Sequence, residues 1–342
     1  MSNRFKNILY TFILMVILFG VYQYRKKLQD PVYIEGKTMG TTYHITYFDA
    51  GRRNFKHQVD SILERVNQAI NTYLPQSEVT RFNKGTGALK FELPYLRQLL
   101  ERSQQIVSAS SGAFDPTVMP LVNVWGFGPA EPLNPDNLEI DSIREFVGFE
   151  KVGFNTDSVW KTDARTQLDF GGIGQGYGAD VIAEFLKGKG ITHMLVEIGG
   201  EGMALGRNRK TGKPWEIGIL DPNSTPNNQF FKAYVSLENK SFTTSGGYFN
   251  YREIDGKKFS HTIDPQSGYP VNNPLLSVSV FSDDATSADG WATALMVMGV
   301  DKAMSFLQNH PNFDALLMYS GDDGTVHVFI TPGIKDRIIL RE

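Results

Sequence analysis

A chain of 342 residues is long enough to bury a large core, and its formal net charge of -3 gives no support to nucleic-acid binding. Cysteine is absent, which excludes disulfides, thiolate metal sites, a cysteine nucleophile and the lipid-bearing cysteine of a bacterial lipoprotein. Any membrane attachment therefore has to come from the polypeptide itself, and the 33 glycines are clustered rather than spread.

Asn7 to Tyr24 carries no charge and includes the apolar run Ile8 to Val21, a length shared by short transmembrane helices and signal peptides. It ends Gly20-Val21-Tyr22-Gln23-Tyr24, aromatic and unlike a peptidase site. An uncleaved anchor over residues 1–27 is expected, followed by one large domain over 28–342. A buried core helix is disfavoured, because the run is apolar all round and abuts the chain start. Arg4 and Lys6 flank one side and Arg25, Lys26 and Lys27 the other, so charge alone does not favour an exported body.

Alternation predicts a strand over Thr42–Phe48, and helical spacing of Val59, Ile62, Leu63, Val66 and Ile70 predicts a helix over Phe55–Tyr73. A second helix is expected from Pro94, a favoured first-turn residue. Ser110 to Pro132, rich in Gly, Pro and aromatics, reads as an ordered binding loop. A short helix near Asp141–Phe146 follows, then strands at Lys151–Phe154, Val159–Lys161 and Gln167–Phe170. The centre reads as a glycine loop, Gly171–Gly178, a helix, Ala179–Leu186, and a strand, His193–Ile198. Further β segments are expected at Met203–Gly206, Glu216–Leu220, Ala233–Leu237, Phe249–Ile254 and Leu276–Phe281. Helices over Ala285–Met298 and Asp301–Gln308 precede terminal strands at Ala315–Tyr319 and Val326–Ile330. Helices and strands intermix without a βαβ rhythm, which predicts an α+β fold.

Four segments carry potential chemistry. Asp289 is the lone acid within an otherwise small and apolar helix, so its burial calls for a partner. Thr293, four residues on, shares its helical face. A carboxylate and a hydroxyl aimed at one point suit Mg²⁺ or Ca²⁺; pairing with an arginine or capping a neighbouring turn would satisfy Asp289 equally well. Asp283 and Asp284 read as first-turn carboxylates. The glycines at 171, 172, 174, 176 and 178 would either let backbone N–H groups face a phosphate or permit close helix–sheet packing. Asp169 before them is a ligand contact or a turn cap. His261 lies among hydroxyls in Ser260-His-Thr-Ile-Asp-Pro265, where it is a candidate base within ordinary turn chemistry. Phe114, Trp125 and Phe127 would stack on a flat ring or fill core.

Together, Met39-Gly-Thr-Thr-Tyr43, Tyr73-x-x-x-Ser77-Glu78-x-x-Arg81-Phe-Asn83, Gly112-Ala-Phe-Asp-Pro116, Leu168-Asp-Phe-Gly-Gly-Ile173, Ser260-His-Thr-Ile-Asp-Pro265 and Ala288-Asp-Gly-x-x-Thr-Ala294 occur in the order of one family. From Gly36 to Ile330 the chain resembles the ApbE-type FAD:protein FMN transferases, which implies a mixed domain of the ApbE, T-fold-like type. The resemblance implies Mg²⁺ and FAD, with FMN moved onto a threonine or serine of an acceptor flavoprotein, typically a subunit of a membrane redox complex, and AMP released. It implies metal ligation by Asp289, Thr293 and the Gly172 carbonyl, and an FAD site lined by Met39, Tyr73, Ala113, Phe114, Asp115, Asp169, Gln175 and Ile263. It also implies a body on the periplasmic side of the inner membrane. Relatives often carry alanine and lysine where this chain has Gly174 and Gln175, and many are lipoproteins. His261, assisted by Asp264 or Asp289, is the candidate base. An FAD diphosphatase and a non-catalytic flavin carrier are the rival readings.

Overall fold

The computed structural model describes residues 3–130, 137–225, 227–247, 251–254 and 257–341. Tyr43, Ile45 and Tyr47 alternate with more exposed residues along Thr41–Tyr47, so one face of that strand turns inward. It belongs to an eight-stranded sheet whose spatial order follows the chain: Val32–Thr38, Thr41–Tyr47, Met194–Ile198, Glu201–Leu205, Lys240–Gly246, Leu275–Ser282, Asp314–Ser320 and Val326–Ile330. Each neighbouring pair is antiparallel.

Helices Gly174–Gly188 and Ala285–Asn309 pack on one face of this sheet, where Val278, Val280, Ala315 and Leu317 join the largest core. A smaller sheet of Trp215–Leu220, Phe231–Leu237 and Ile338–Leu340 covers the other, burying Phe281, Leu316 and Met318. Covered on both sides, Leu275–Ser282 and Asp314–Ser320 lose the alternating pattern and read as near-continuous apolar runs. The mixture of helices with an antiparallel sheet is the expected α+β class.

The two helices cross unusually closely. A Cβ added at Gly176 would lie 2.2 Å from the Ala285 carbonyl oxygen and 2.7 Å from Asp289 Cβ. Each helix also supplies a carboxylate to the other's first turn. Asp289 Oδ2 accepts from the Gly176 amide at 2.9 Å, and Asp180 accepts from the Ala285 and Thr286 amides, both at 2.8 Å. Asp284, expected in the first turn, is the N-cap and accepts from the Ser287 amide at 2.7 Å, while Asp283 precedes the helix and pairs with Lys240.

Several expectations need correction. The central helix starts at Gly174 rather than Ala179, because tertiary packing outweighs the low helix propensity of glycine. Gly176 serves the crossing, with its amide bonded to Asp289, and the Gly174 amide bonds to the Phe170 carbonyl, so neither is available to a phosphate. Gln167–Phe170 is not a strand and makes one isolated bridge, from Gln167 to Val118. The loop from Ser110 contains a helix at Met119–Val124, and the following helix is Asn137–Arg144, starting earlier than expected. Strands Val32–Thr38, Lys240–Gly246, Lys257–Ser260 and Ile338–Leu340 and the helix Glu78–Lys84 were not anticipated. The two helices expected over Ala285–Met298 and Asp301–Gln308 are both present within Ala285–Asn309, separated by a non-helical break at Gly299, where φ is 74°. The strand start at Phe249 and the loop end at Pro132 lie outside the described residues.

A helix spans Asn3–Gln29, and its Arg4–Val21 portion is long and apolar enough to cross a membrane. Ile8, Tyr10 and Phe19 are each at least 63% exposed, so no protein core accounts for their apolar character.

The crossing predicts opposite outcomes for two glycines of one helix. Gly176→Ala should lose about 1–3 kcal/mol through overpacking against backbone. Gly188→Ala, where an added Cβ meets nothing within 4 Å, should be neutral or gain up to about 1 kcal/mol. Thermal melts of both variants check this; equal melting temperatures would contradict the close crossing.

Candidate active site

A cleft of about 1030 Å³ opens between the sheet and the loops above the helix crossing. Met39, Tyr73, Ala113, Phe114, Asp115, Asp169, Gly172, Gln175, His261, Ile263, Asp289 and Thr293, spread over most of the chain, all line it. Trp125 does not. It is buried against Phe259 with its indole N–H donating to the Gly268 carbonyl at 2.9 Å, and so fills core.

The floor is built where the Ala285–Asn309 helix meets the Gly171-Gly172 turn. Thr293 Oγ1 donates to the Gly172 carbonyl at 3.0 Å. A Cβ at Gly172 would sit 2.8 Å from that hydroxyl, so only glycine admits the contact. Asp289 is 5% exposed, and one of its oxygens caps Gly176. Burial is the main force pushing its carboxyl up to about 7; the Gly176 amide opposes the shift and the Asp180 charge adds to it. Of the alternatives for Asp289, the helix cap is therefore realised through one oxygen, while the residue still faces the cleft. No arginine pairs with it among the described residues.

Other side chains are placed less uniformly. Asp169 accepts from the Gly171 amide at 3.3 Å, and burial raises its carboxyl above the ordinary range. The Asp115 carboxylate is turned inward, accepting from Thr117 N at 2.8 Å, Thr117 Oγ1 at 2.6 Å and Phe149 N at 2.9 Å. Met39 and Gly40 both have positive φ, 49° and 75°, in the tight turn joining the first two strands. This conformation brings the Met39 thioether against the start of the central helix near Gly178. Tyr73 is exposed, with its hydroxyl donating to the Phe127 carbonyl at 3.0 Å. His261 is half-buried, edge-on to Phe127 with ring centroids 6.4 Å apart.

Glu201 was missed. It follows the Gly199-Gly200 turn, lines the cleft and is 7% exposed. A double glycine before an acid was the available signal. Among the described lining residues the acids are Asp115, Asp169, Glu201 and Asp289, and neither lysine nor arginine is present. No three His, Cys, Asp or Glu side chains converge into a metal-binding group among the described residues. The floor instead offers carboxylate, hydroxyl and backbone carbonyl oxygens, a donor set suited to a hard cation.

Comparison with known proteins fits this arrangement. A model of the ApbE family matches residues 39–317, a span that contains every lining residue of the cleft. The chain belongs to the ApbE family. An FAD:protein FMN transferase of Vibrio cholerae is 36% identical over 306 residues, covering 87% of this chain and 90% of that protein. One from Haemophilus influenzae is 34% identical, covering 86% and 88%. The solved structure of the flavin transferase ApbE from Vibrio cholerae superimposes with a TM-score of 0.80 at 33% identity, covering 90% of this chain and 99% of that one.

The dual position of Asp289 separates cap from charge. Asp289→Asn keeps an acceptor for Gly176 while removing a buried charge, and should melt at or above the parent temperature. Asp289→Ala leaves the Gly176 amide unpaired and should lose about 1–3 kcal/mol. Calorimetry of both checks the order, which a solvent-exposed Asp289 would not produce.

Proposed function

We propose that this chain transfers FMN from FAD to a threonine or serine hydroxyl of an acceptor protein and releases AMP. The observation that carries the reading is the acid-lined cleft floor, with neither lysine nor arginine among its described lining residues, set below aromatic and apolar walls. A diphosphate would be repelled by that floor unless a divalent cation lay between them. The relatives named FAD:protein FMN transferase, matched over most of both lengths, support the same reading.

The residues present fit such a cation: Asp289, Thr293 Oγ1 and the Gly172 carbonyl would hold Mg²⁺. Bound there, Mg²⁺ would withdraw charge from the diphosphate and stabilise the leaving phosphate. Phe114, Ile263, Met39 and Tyr73 would hold the flavin and adenine portions, with Asp169 and Gln175 orienting polar groups between them. The acceptor hydroxyl oxygen attacks the phosphorus of the FMN half and forms a phosphoester. The bridging P–O bond breaks, and AMP leaves with the bridging oxygen. The hydroxyl proton passes to an imidazole nitrogen of His261. Residues 1–27 would anchor the protein in the inner membrane, with 28–342 on the periplasmic side beside flavoprotein subunits of membrane redox complexes.

With full-length protein, FAD, Mg²⁺ and a threonine-bearing acceptor domain, intact-mass spectrometry should show an FMN-sized gain on the acceptor, matched by AMP. Chelation or Asp289→Asn should abolish both. AMP and free FMN at the same rate without acceptor would establish a diphosphatase, and retained, intact FAD a carrier.

His261→Ala should slow transfer by about 100-fold or more. A near-parental rate across pH would remove His261 from the base role.

A further inference from the structure

The cleft floor contains a carboxylate that the capping pattern does not explain. Gly199 and Gly200, with φ of 67° and 107°, turn the chain sharply so that Glu201 opens a strand packed against both crossing helices. Its Oε2 is buried and has no hydrogen-bond partner. The other buried acids differ. Asp115 and Asp180 each satisfy their carboxylates with backbone amides and a threonine hydroxyl. Glu78 also leaves one oxygen unpaired, but it lies outside the cleft, accepts from the Glu92 and Leu93 amides, and has the Arg81 charge nearby.

The charges that act on Glu201 are carboxylates. Burial raises its carboxyl well above the ordinary range, and Asp289 and Glu197 raise it further. Two buried acids that line one cleft, with neither lysine nor arginine among its described lining residues, form an arrangement that costs stability unless a cation joins it. Such a cost is tolerated at sites where function requires it.

We propose that Glu201 is a further cation-holding carboxylate of the cleft floor, sharing with Asp289 a divalent metal ion that Thr293 Oγ1 and the Gly172 carbonyl also face. This rests on the reading of the floor as a cation site. It adds a residue from a sheet strand to donors that otherwise come from one helix and one turn. The ion would then tie the sheet to the helix crossing, so metal binding stabilises the fold as well as the diphosphate.

Mn²⁺ titration of the full-length protein without flavin, followed by electron paramagnetic resonance of free Mn²⁺, tests the assignment alongside thermal melts with and without Mg²⁺. Glu201→Gln should weaken Mn²⁺ binding at least tenfold, raise the metal-free melting temperature and shrink the rise caused by Mg²⁺. Glu201→Asp, which keeps the charge on a shorter stem, should bind between the two. Parental Mn²⁺ affinity in Glu201→Gln would overturn the proposal, as would a lower metal-free melting temperature with affinity unchanged, the signature of a structural glutamate. If Asp289→Asn loses Mn²⁺ while Glu201→Gln keeps it, the assignment of Glu201 alone fails. If the parent protein binds no Mn²⁺, or both variants bind as the parent does, the cation reading of the floor fails with it.

Discussion

Two helices that cap one another hold this structure together. Asp289 reaches from the Ala285–Asn309 helix to the first turn of Gly174–Gly188, and Asp180 reaches back to the first turn of its partner. Helix N-termini leave backbone donors unsatisfied and carry partial positive charge, so a carboxylate at each is favourable twice over. The exchange requires backbones close enough to touch, and Gly176 supplies that proximity. Because both helices lie on one face of the long antiparallel sheet, the crossing also sets where the cleft floor lies.

The same geometry concentrates negative charge. Asp289, placed by its capping role, faces the cleft that Glu201 also lines, the Asp180 charge acts on it, and burial makes each harder to ionise. Protein interiors penalise such clusters, and hydrophobic replacements are often more stable. Here the surrounding core supplies the compensating stability: Val278, Val280, Ala288, Ala292 and Leu317 are fully buried around the helix that carries Asp289. A closely packed apolar frame around oxygen donors is the preorganisation expected of a phosphoryl-transfer site.

Strongly patterned elements were legible from sequence. Thr41–Tyr47, Lys56–Ile70 and Pro94–Ala109 announced themselves by period and by a first-turn proline. Lys240–Gly246 did not, because Lys-Ser-Phe-Thr-Thr-Ser-Gly has the composition of a loop; it is a strand because neighbours on both sides take up its backbone groups and Thr244 meets Ser279 at 2.7 Å. Val32–Thr38 carries Glu35, Gly36 and Lys37, which suit its position at a sheet edge. The glycine cluster was readable as an unusual backbone segment, but whether its amides faced a ligand or another helix depended on residues more than a hundred positions away.

Sequence by itself determined the mixed α+β class, the apolar N-terminal helix, the exclusion of thiolate chemistry in a chain without cysteine, and the family to which ordered motifs assign it. Asp289 and Thr293 were visible as a pair because helical spacing is a local property. Only the tertiary structure decided that Asp289 is also a cap, that the Asp115 carboxylate turns inward onto Thr117 and the Phe149 amide, and that Glu201 leaves one buried carboxylate oxygen unpartnered in the cleft that Asp289 lines. Those facts depend on which groups approach through space, and burial and pairing of a carboxylate are set by neighbours that the linear chain keeps far apart.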